Sequence, residues 1–353
     1  MEEGFRLWAN PSSPHAEGRR ARAALEDARE RIKRALGLAQ GNKDYELIFT
    51  SGASEALWIA LNRCKASRRI VSAVEHDAVF RAAPDAEVVG IGEKSLVDRQ
   101  QLADLMFRAG PSLIAIQDVN SETGVRQSVT ELHEQVQSAG GLLVSDCSQS
   151  AGKYWLPNAD MLVLSAHKLG GPIGIGALLV SDFNLLEPTG GHERGYRQGT
   201  ENLPAALGFA AAVEARRIAD TTIGEGYNTT AIKGEASWVT MAGLKFCDIE
   251  YTINRVGGLF LPSNADGFTQ DYTILAIAHP TMSAQAQLIR LDAMGFAVSA
   301  GSACSSGTLK KSRVLDAFGV ADDVAARTIR VSIGWSTTPE DLERFSEAWA
   351  ALA

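Results

Sequence analysis

Lys168 stands in SAHKLGGPIGIGALLV, residues 165 to 180, just behind the apolar run MLVL of Met161 to Leu164. A short apolar run of this kind reads as a buried strand, which puts the lysine at a strand's carboxyl end. Gly170, Gly171, Pro172, Gly174 and Gly176 then make a turn-rich loop before a second apolar run, Ala177 to Val180. A lysine held there and partly desolvated can lose its proton near neutral pH and form a Schiff base with a carbonyl compound. Alone, the segment also reads as a hairpin with a solvated surface lysine. His76 follows RIVSAVE and Asp146 follows GLLVS, so both also fall at strand ends. Separately, a histidine there can be a cap or a surface group, and an aspartate the N-cap of the next element. Cys304, flanked by Ser302, Ala303, Ser305, Ser306 and Gly307, has the setting of an exposed loop and not of a buried, inert core cysteine. Arg330 in TIRVSIG lies in a strand-like run, where a guanidinium could hold a carboxylate bidentately or serve a structural salt bridge.

The elements that must position these groups follow from periodicity. Residues 1 to 15 are short and irregular, with a turn at Asn10 to Pro14, and Ala16 to Leu36 has the spacing of an amphipathic helix ended by Gly37. ELIFT, Glu46 to Thr50, is strand-like, and SGASEALWIAL passes straight into a helix starting near Ser54. Strand, small-residue turn and helix N-terminus together make an anion cradle, because free N–H groups and the helix dipole point at one spot; a plain connection with a serine cap is the other reading. Strands at 69–74, 86–91, 112–118 and 141–146 alternate with helices from 77, at 98–109 and at 127–139. That alternation predicts an α/β fold with a mostly parallel sheet covered by helices on both faces, where ligands collect at the carboxyl ends of the strands. TGGHERGYRQGTENLP, residues 189 to 204, is a polar, Gly-rich loop before a helix at about 204–218. Periodicity weakens over 220–236, which marks a domain change. Apolar runs at 248–260 and 272–278, a helix at 283–294 and another at 309–318 predict a smaller α+β C-terminal domain. The expected division is 1–15, packing with the small domain; 16–217, the large cofactor-binding domain; and 218–353, the small domain with the cysteine loop.

Composition narrows the function class. The 353 residues are 45% hydrophobic, enough for a sizeable core, and the formal net charge of -8 without long basic runs argues against nucleic acid or an anionic membrane as the main partner. No stretch approaches the roughly 18 apolar residues of a membrane span, and no signal pattern opens the chain, so a cytoplasmic protein without direct membrane binding is expected. Cys64, Cys147, Cys247 and Cys304 lie far apart with no C-x-x-C pair, which points to neither a disulfide framework nor a metal site. A ring cofactor unites the remaining groups. Pyridoxal 5'-phosphate needs a lysine for the Schiff base, an acid on its pyridine nitrogen and an anion cradle for its phosphate. Lys168, Asp146 and the Gly52 to Ser54 turn supply that set. His76 can stack on the ring, and Ser165 and His167 can add phosphate contacts.

Nine blocks in order over residues 9 to 334 resemble the cysteine desulfurases, fold type I pyridoxal-phosphate enzymes of the class V aminotransferase group. They are ANPSSPHAEGRRARAALEDARERI, TSGASEA, VEHDAV, VNSETGV, SDCSQSAGK, SAHKLGGPIGIGALLV, GGHERGYRQGTEN, VSAGSACSSGTL and TIRVSIG. The resemblance implies that Lys168 binds the cofactor covalently, Asp146 pairs with its ring nitrogen, Gln149 reaches its phenolic oxygen and His76 stacks on the ring and shuttles protons. Ala53, Ser54, Ser165 and His167 would bind the phosphate, with Thr200 reaching it from the neighbouring subunit of a homodimer. Arg330 would hold the carboxylate of L-cysteine, and Cys304 would take the sulfur as a persulfide, release alanine and pass sulfur to an acceptor or scaffold protein of iron–sulfur cluster assembly or of tRNA or cofactor thiolation. Cys304 could also ligate a nascent cluster transiently. The chain departs from the family in three places. A YLDNAATTP-like segment does not precede NPSS, so the substrate-side wall is expected to differ. Ser121 stands where the family has the asparagine before the glutamate, with Asn120 one position earlier; both are candidates for cofactor contact and Asn120 also for the substrate. The 218–250 segment looks shorter and less helical than the family norm. Another class V lyase or aminotransferase, or a cofactor-binding scaffold without turnover, are the competing functions.

Overall fold

The computed structural model describes residues 1–7, 9–38, 45–108, 110–221, 237–262, 270–301 and 312–352. The chain enters through α1 (Glu2–Arg6) and α2 (Ala16–Ala35), where His15 caps the helix by accepting from the Gly18 amide. Ala21, Leu25, Ala28 and Ile32 recur at three and four residues along α2, so one stripe is buried while the charges stay outside. Then come β1 (Glu46–Thr50), α3 (Ala53–Arg63), β2 (Arg68–Ser72), α4 (Asp77–Ala82), β3 (Glu87–Val89), α5 (Arg99–Met106) and β4 (Ser112–Ala115). α6 (Val129–Ser138), β5 (Leu142–Asp146), β6 (Met161–Ser165), β7 (Gly176–Val180) and α7 (Leu203–Thr221) complete the larger unit.

The seven strands form one sheet in the order β1-β7-β6-β5-β4-β2-β3. From β6 to β3 every pairing is parallel, and β7 runs antiparallel to both β1 and β6. Both faces are covered. Leu162 and Leu164 pack with α2 and α7 residues such as Ile32 and Phe209, while Met161 and Val163 pack with Leu57 and Leu61 of α3. This is the period-two alternation of a strand, and it explains why β6 and β7 are apolar at nearly every position.

The smaller unit contains α8 (Ser237–Arg255), β8 (Leu259–Leu261), β9 (Ile274–Ala278), α9 (Ala284–Ala293), α10 (Arg313–Ala317), α11 (Asp322–Ala325), β10 (Thr328–Ser332) and α12 (Pro339–Ala350). Its antiparallel sheet has the order β10-β9-β8, and Trp349 is fully buried in its core with Ile253, Ile277, Leu291 and Ile329. The two units are locked together beside Gly124, whose φ of +76° and position suit only glycine. A Cβ there would lie 2.2 Å from the Ile274 carbonyl oxygen. Lys153 Nζ crosses the same junction to Asp271 Oδ2 at 3.0 Å and Thr273 Oγ1 at 2.8 Å.

Three expectations change. The N-terminal segment, expected to pack with the small domain, is not wholly irregular, and among the described residues its α1 packs on α7, with Gly4 against Pro204, because the small glycine lets the two backbones approach. Of the 220–236 stretch read as weakly periodic, residues 222–236 lie outside the described residues; α8, a 19-residue helix, follows from Ser237, and the apolar run at 248–260 divides between the end of that helix and β8. Periodicity within a run that packs on two neighbours does not separate helix from strand. α7 also continues past residue 217 to Thr221. Among the described residues, no helix is long and apolar enough to cross a membrane.

Candidate active site

A cavity of about 510 Å³ opens at the carboxyl ends of β2, β4, β5 and β6, with Arg330 of the smaller unit on its wall. Strand ends converge here because parallel strands direct all their exits to one edge of the sheet. His76, Asp146, Gln149, Ser165, His167, Lys168, Ser121, Ala53 and Ser54 all line this one cavity.

Each is placed by a local device. His76 is the N-cap of α4: its Nδ1 accepts from the Ala78 amide at 3.1 Å, which leaves Nε2 as the ring's other polar position. Asp146 ends β5, and its Oδ1 accepts from the Ser148 amide at 2.9 Å, a turn that does not use Oδ2. Lys168 lies in a single 3-10 turn, Ala166–Leu169, directly after β6 and terminated by the left-handed Gly170. Next to it, Ser165 Oγ and His167 Nδ1 are 3.0 Å apart. Burial, then the charge of Lys168, pushes the His167 imidazole below its usual range, which favours its neutral form.

The candidate anion cradle is the Ser51–Ser54 turn into α3, whose 11 residues put the amide-rich helix end at the cavity. Gly176 at the start of β7 permits this turn to sit close. A Cβ there would lie 2.5 Å from the Leu164 carbonyl oxygen and 2.8 Å from both Cα and C of Gly52. Arg197, in the 189–200 loop, donates through Nε to Glu55 at 3.1 Å and so ties that loop to the first turn of α3.

Arg330 lies on β10, where its amide donates to the Ser299 carbonyl at 2.6 Å, and its Nη1 donates to the Ser121 carbonyl at 3.0 Å. Ser121 therefore faces the cavity and also buttresses the arginine through its backbone. Asn120 does not line the cavity, against expectation. It is 1% exposed; its Oδ1 accepts from the Glu122 and Thr123 amides and Thr123 Oγ1, and its Nδ2 donates to the Val74 carbonyl. Those bonds hold the 120–124 turn, so the asparagine shapes the wall from behind. Thr200 is exposed and lies off the cavity wall of its own chain. Cys304 falls outside the described residues.

Four wall residues went unnoticed in the sequence. Glu75 is 1% exposed: its Oε1 accepts from the Gln117 amide at 2.8 Å, and Oε2 is buried with no partner among the described residues. Burial drives its carboxyl well above the usual range, the nearby Asp146 charge adding to the rise. Ser148 Oγ is likewise buried without a partner among the described residues. Glu122 accepts from Ser312 Oγ at 2.6 Å, and burial pushes its carboxyl upward as well. Arg313 reaches the His76 turn from α10. Only Glu75 left a sequence signal, a charged residue closing an otherwise apolar strand run.

The chain as a whole is similar to known proteins. The family model for aminotransferase class-V matches residues 2–234. Cysteine desulfurase IscS 1 of Archaeoglobus fulgidus is 31% identical, the match covering 98% of this chain and 89% of the relative. Among solved structures, the NifS-like protein from Rickettsia africae ESF-5 is similar with a TM-score of 0.82 at 27% identity, over 99% of this chain and 94% of that one. SspA, solved in complex with cysteine, is similar with a TM-score of 0.71 at 26% identity, over 94% of this chain and 95% of that one. The architecture is that of the fold type I pyridoxal-phosphate enzymes, and the chain belongs to the class-V aminotransferase family and, within it, to the cysteine desulfurases.

Proposed function

We propose that this enzyme uses pyridoxal 5'-phosphate to convert L-cysteine to L-alanine, keeps the sulfur as a persulfide on Cys304, and delivers it to an acceptor or scaffold protein of iron–sulfur assembly or of tRNA or cofactor thiolation. The observation that carries the reading is the convergence of Lys168, Asp146, His76 and Arg330 on one cavity. The cavity fits the cofactor: an amine, a carboxylate with an oxygen outside its own turn, an amide-rich helix end and the orphan Ser148 hydroxyl share its wall. Lys168 would hold the cofactor covalently, Asp146 its ring nitrogen, Gln149 its phenolic oxygen and His76 its ring face, with Ala53, Ser54, Ser165 and His167 at its phosphate. When bound, the cofactor supplies an electron sink that makes the α-proton of an amino acid removable.

The chain's own residues do the rest. Arg330, braced on the Ser121 carbonyl, holds the substrate carboxylate. His76 keeps Nδ1 on the Ala78 amide and offers Nε2 to hold or release a proton. The Cys304 thiolate takes the substrate sulfur: the carbon–sulfur bond of L-cysteine breaks, a sulfur–sulfur bond forms, and the carbon skeleton leaves as alanine. One cysteine and one protein thiol thus become one alanine and one persulfide, and two external thiols then release sulfide and leave as a disulfide. Asn120, committed to its turn, takes no part in binding. Thr200 acts across a homodimer, a reading supported by its exposure away from its own cavity and by the ties that hold its loop.

The test is release of sulfide and alanine from L-cysteine with a thiol reductant, in wild type, Lys168→Ala and Cys304→Ala. Equal amounts of both products from wild type, neither from the variants, and a yellow Cys304→Ala protein are expected. A yellow wild type that makes neither product overturns the reading in favour of a scaffold; alanine formation that survives Cys304→Ala overturns the persulfide step.

A further inference from the structure

The turn that carries His76 is held by the smaller unit. Arg313, the first residue of α10, donates from Nη1 to the Ala73 carbonyl at 2.6 Å and from Nη2 to the Glu75 carbonyl at 2.7 Å and Asp77 Oδ1 at 3.0 Å. Its guanidinium carbon also lies 3.7 Å from the centre of the Phe80 ring. Residues 73, 75 and 77 bracket His76, and Phe80 lies on the helix that His76 caps. Two of the three acceptors are backbone carbonyls, so the arginine grips the path of the chain itself. A planar guanidinium with a stacked face fixes both position and rotation, which a lysine's point charge would not. One residue earlier, Ser312 Oγ donates to Glu122 Oε2 at 2.6 Å and pins the start of α10 to the large unit a second time.

We propose that Arg313 is a positioning residue for the reaction: from the smaller unit, it sets the His76 ring against the cofactor. The proposal rests on the reading of His76 as the ring-face group. It accounts for three converging bonds on a turn whose own hydrogen bonds already cap α4, and it makes the geometry at the cofactor depend on how the two units dock.

The test is a double-mutant cycle on the holoenzyme with Arg313→Met, His76→Ala and the double variant, plus Arg313→Lys. The readouts are visible-region circular dichroism of the bound cofactor, its dissociation constant, and kcat and KM for L-cysteine. Arg313→Met is expected to lower kcat about 10- to 100-fold, the scale of loss that a misplacement of up to about 1 Å produces, and to leave KM nearly unchanged. It should change the cofactor dichroism in the same sense as His76→Ala and add little to it in the double variant. Arg313→Lys should recover part of the loss and keeps a charge at the site should the methionine variant fold poorly. Equal losses from Arg313→Met with and without His76 overturn the proposal, as does a variant indistinguishable from wild type, or a His76→Ala enzyme that itself behaves as wild type. The dichroism and cofactor affinity need no turnover, so coupling seen there in an enzyme that releases no sulfide would retain the inference and overturn the desulfurase reading alone.

Discussion

At the scale of single residues, the site places carboxylates in contrasting environments on one wall. Asp146 is partly exposed, with one oxygen in its own turn, whereas Glu75 is buried and its carboxyl pushed well up. Replacing the first with a neutral isostere, Asp146→Asn, is expected to cut turnover by about 100-fold or more while the protein keeps its fold; steady-state kinetics beside a thermal melt check this. Glu75 bears on stability. Because its folded pKa is raised, the native state keeps a proton that the unfolded chain loses above its usual value of 4.5. Stability contributed by this group is therefore fully present below that pH and drains away as pH rises toward the folded pKa. Glu75→Gln, which can still accept from the Gln117 amide, should remove that drain. The difference in melting temperature between variant and wild type should widen in the variant's favour from pH 4.5 upward, and a constant difference across pH would disprove it.

At the scale of elements, the candidate anion cradle depends on how closely β7 approaches the Gly52 turn. Gly176→Ala forces a methyl against three backbone atoms that cannot rotate away. A cost of about 2 kcal/mol is expected, with weakened cofactor binding because α3 must shift; urea unfolding and a cofactor titration read the two effects. The 189–200 loop is anchored from the opposite direction. Arg29 of α2 and Glu193 are 2% and 3% exposed, and Glu193 Oε2 accepts from Arg29 Nη1 and from the Phe49 amide, both at 2.8 Å. Glu193→Ala leaves the buried guanidinium without its main counter-charge and should cost about 3 kcal/mol in urea unfolding. One charge of this polar loop is thus a structural anchor. Solvated and buried glutamates look alike until the partner 164 positions away is known.

At the scale of the whole molecule, the wall of the candidate site draws on both units. Arg330 and Arg313 come from one unit, while Lys168, Asp146 and His76 come from the other. The units meet through Gly124 and through Lys153 on Asp271, which is fully buried. Asp271→Ala removes the buried counter-charge of the lysine at this junction and leaves it the Thr273 hydroxyl, so a loss of about 2 kcal/mol is expected, with a higher KM for L-cysteine because Arg330 is displaced. An unchanged urea midpoint and KM would show that the junction does not set the site.

By itself the sequence determined the alternation of strands and helices, the strand-end placement of Lys168, Asp146 and His76, and the tight turn that opens α3. These are legible because hydrophobic period, glycine turns and strand ends are local properties: β1 and β5 come within about a residue of their expected bounds, and α2 likewise. Tertiary structure decided the rest. It turned Asn120 into the wall's backing, gave α1 to α7, revealed α8, and brought Arg313 to the turn at His76 across more than two hundred residues. Hydrogen-bond partners and burial depend on which distant segments share space, and no pattern within a window of a dozen residues encodes that.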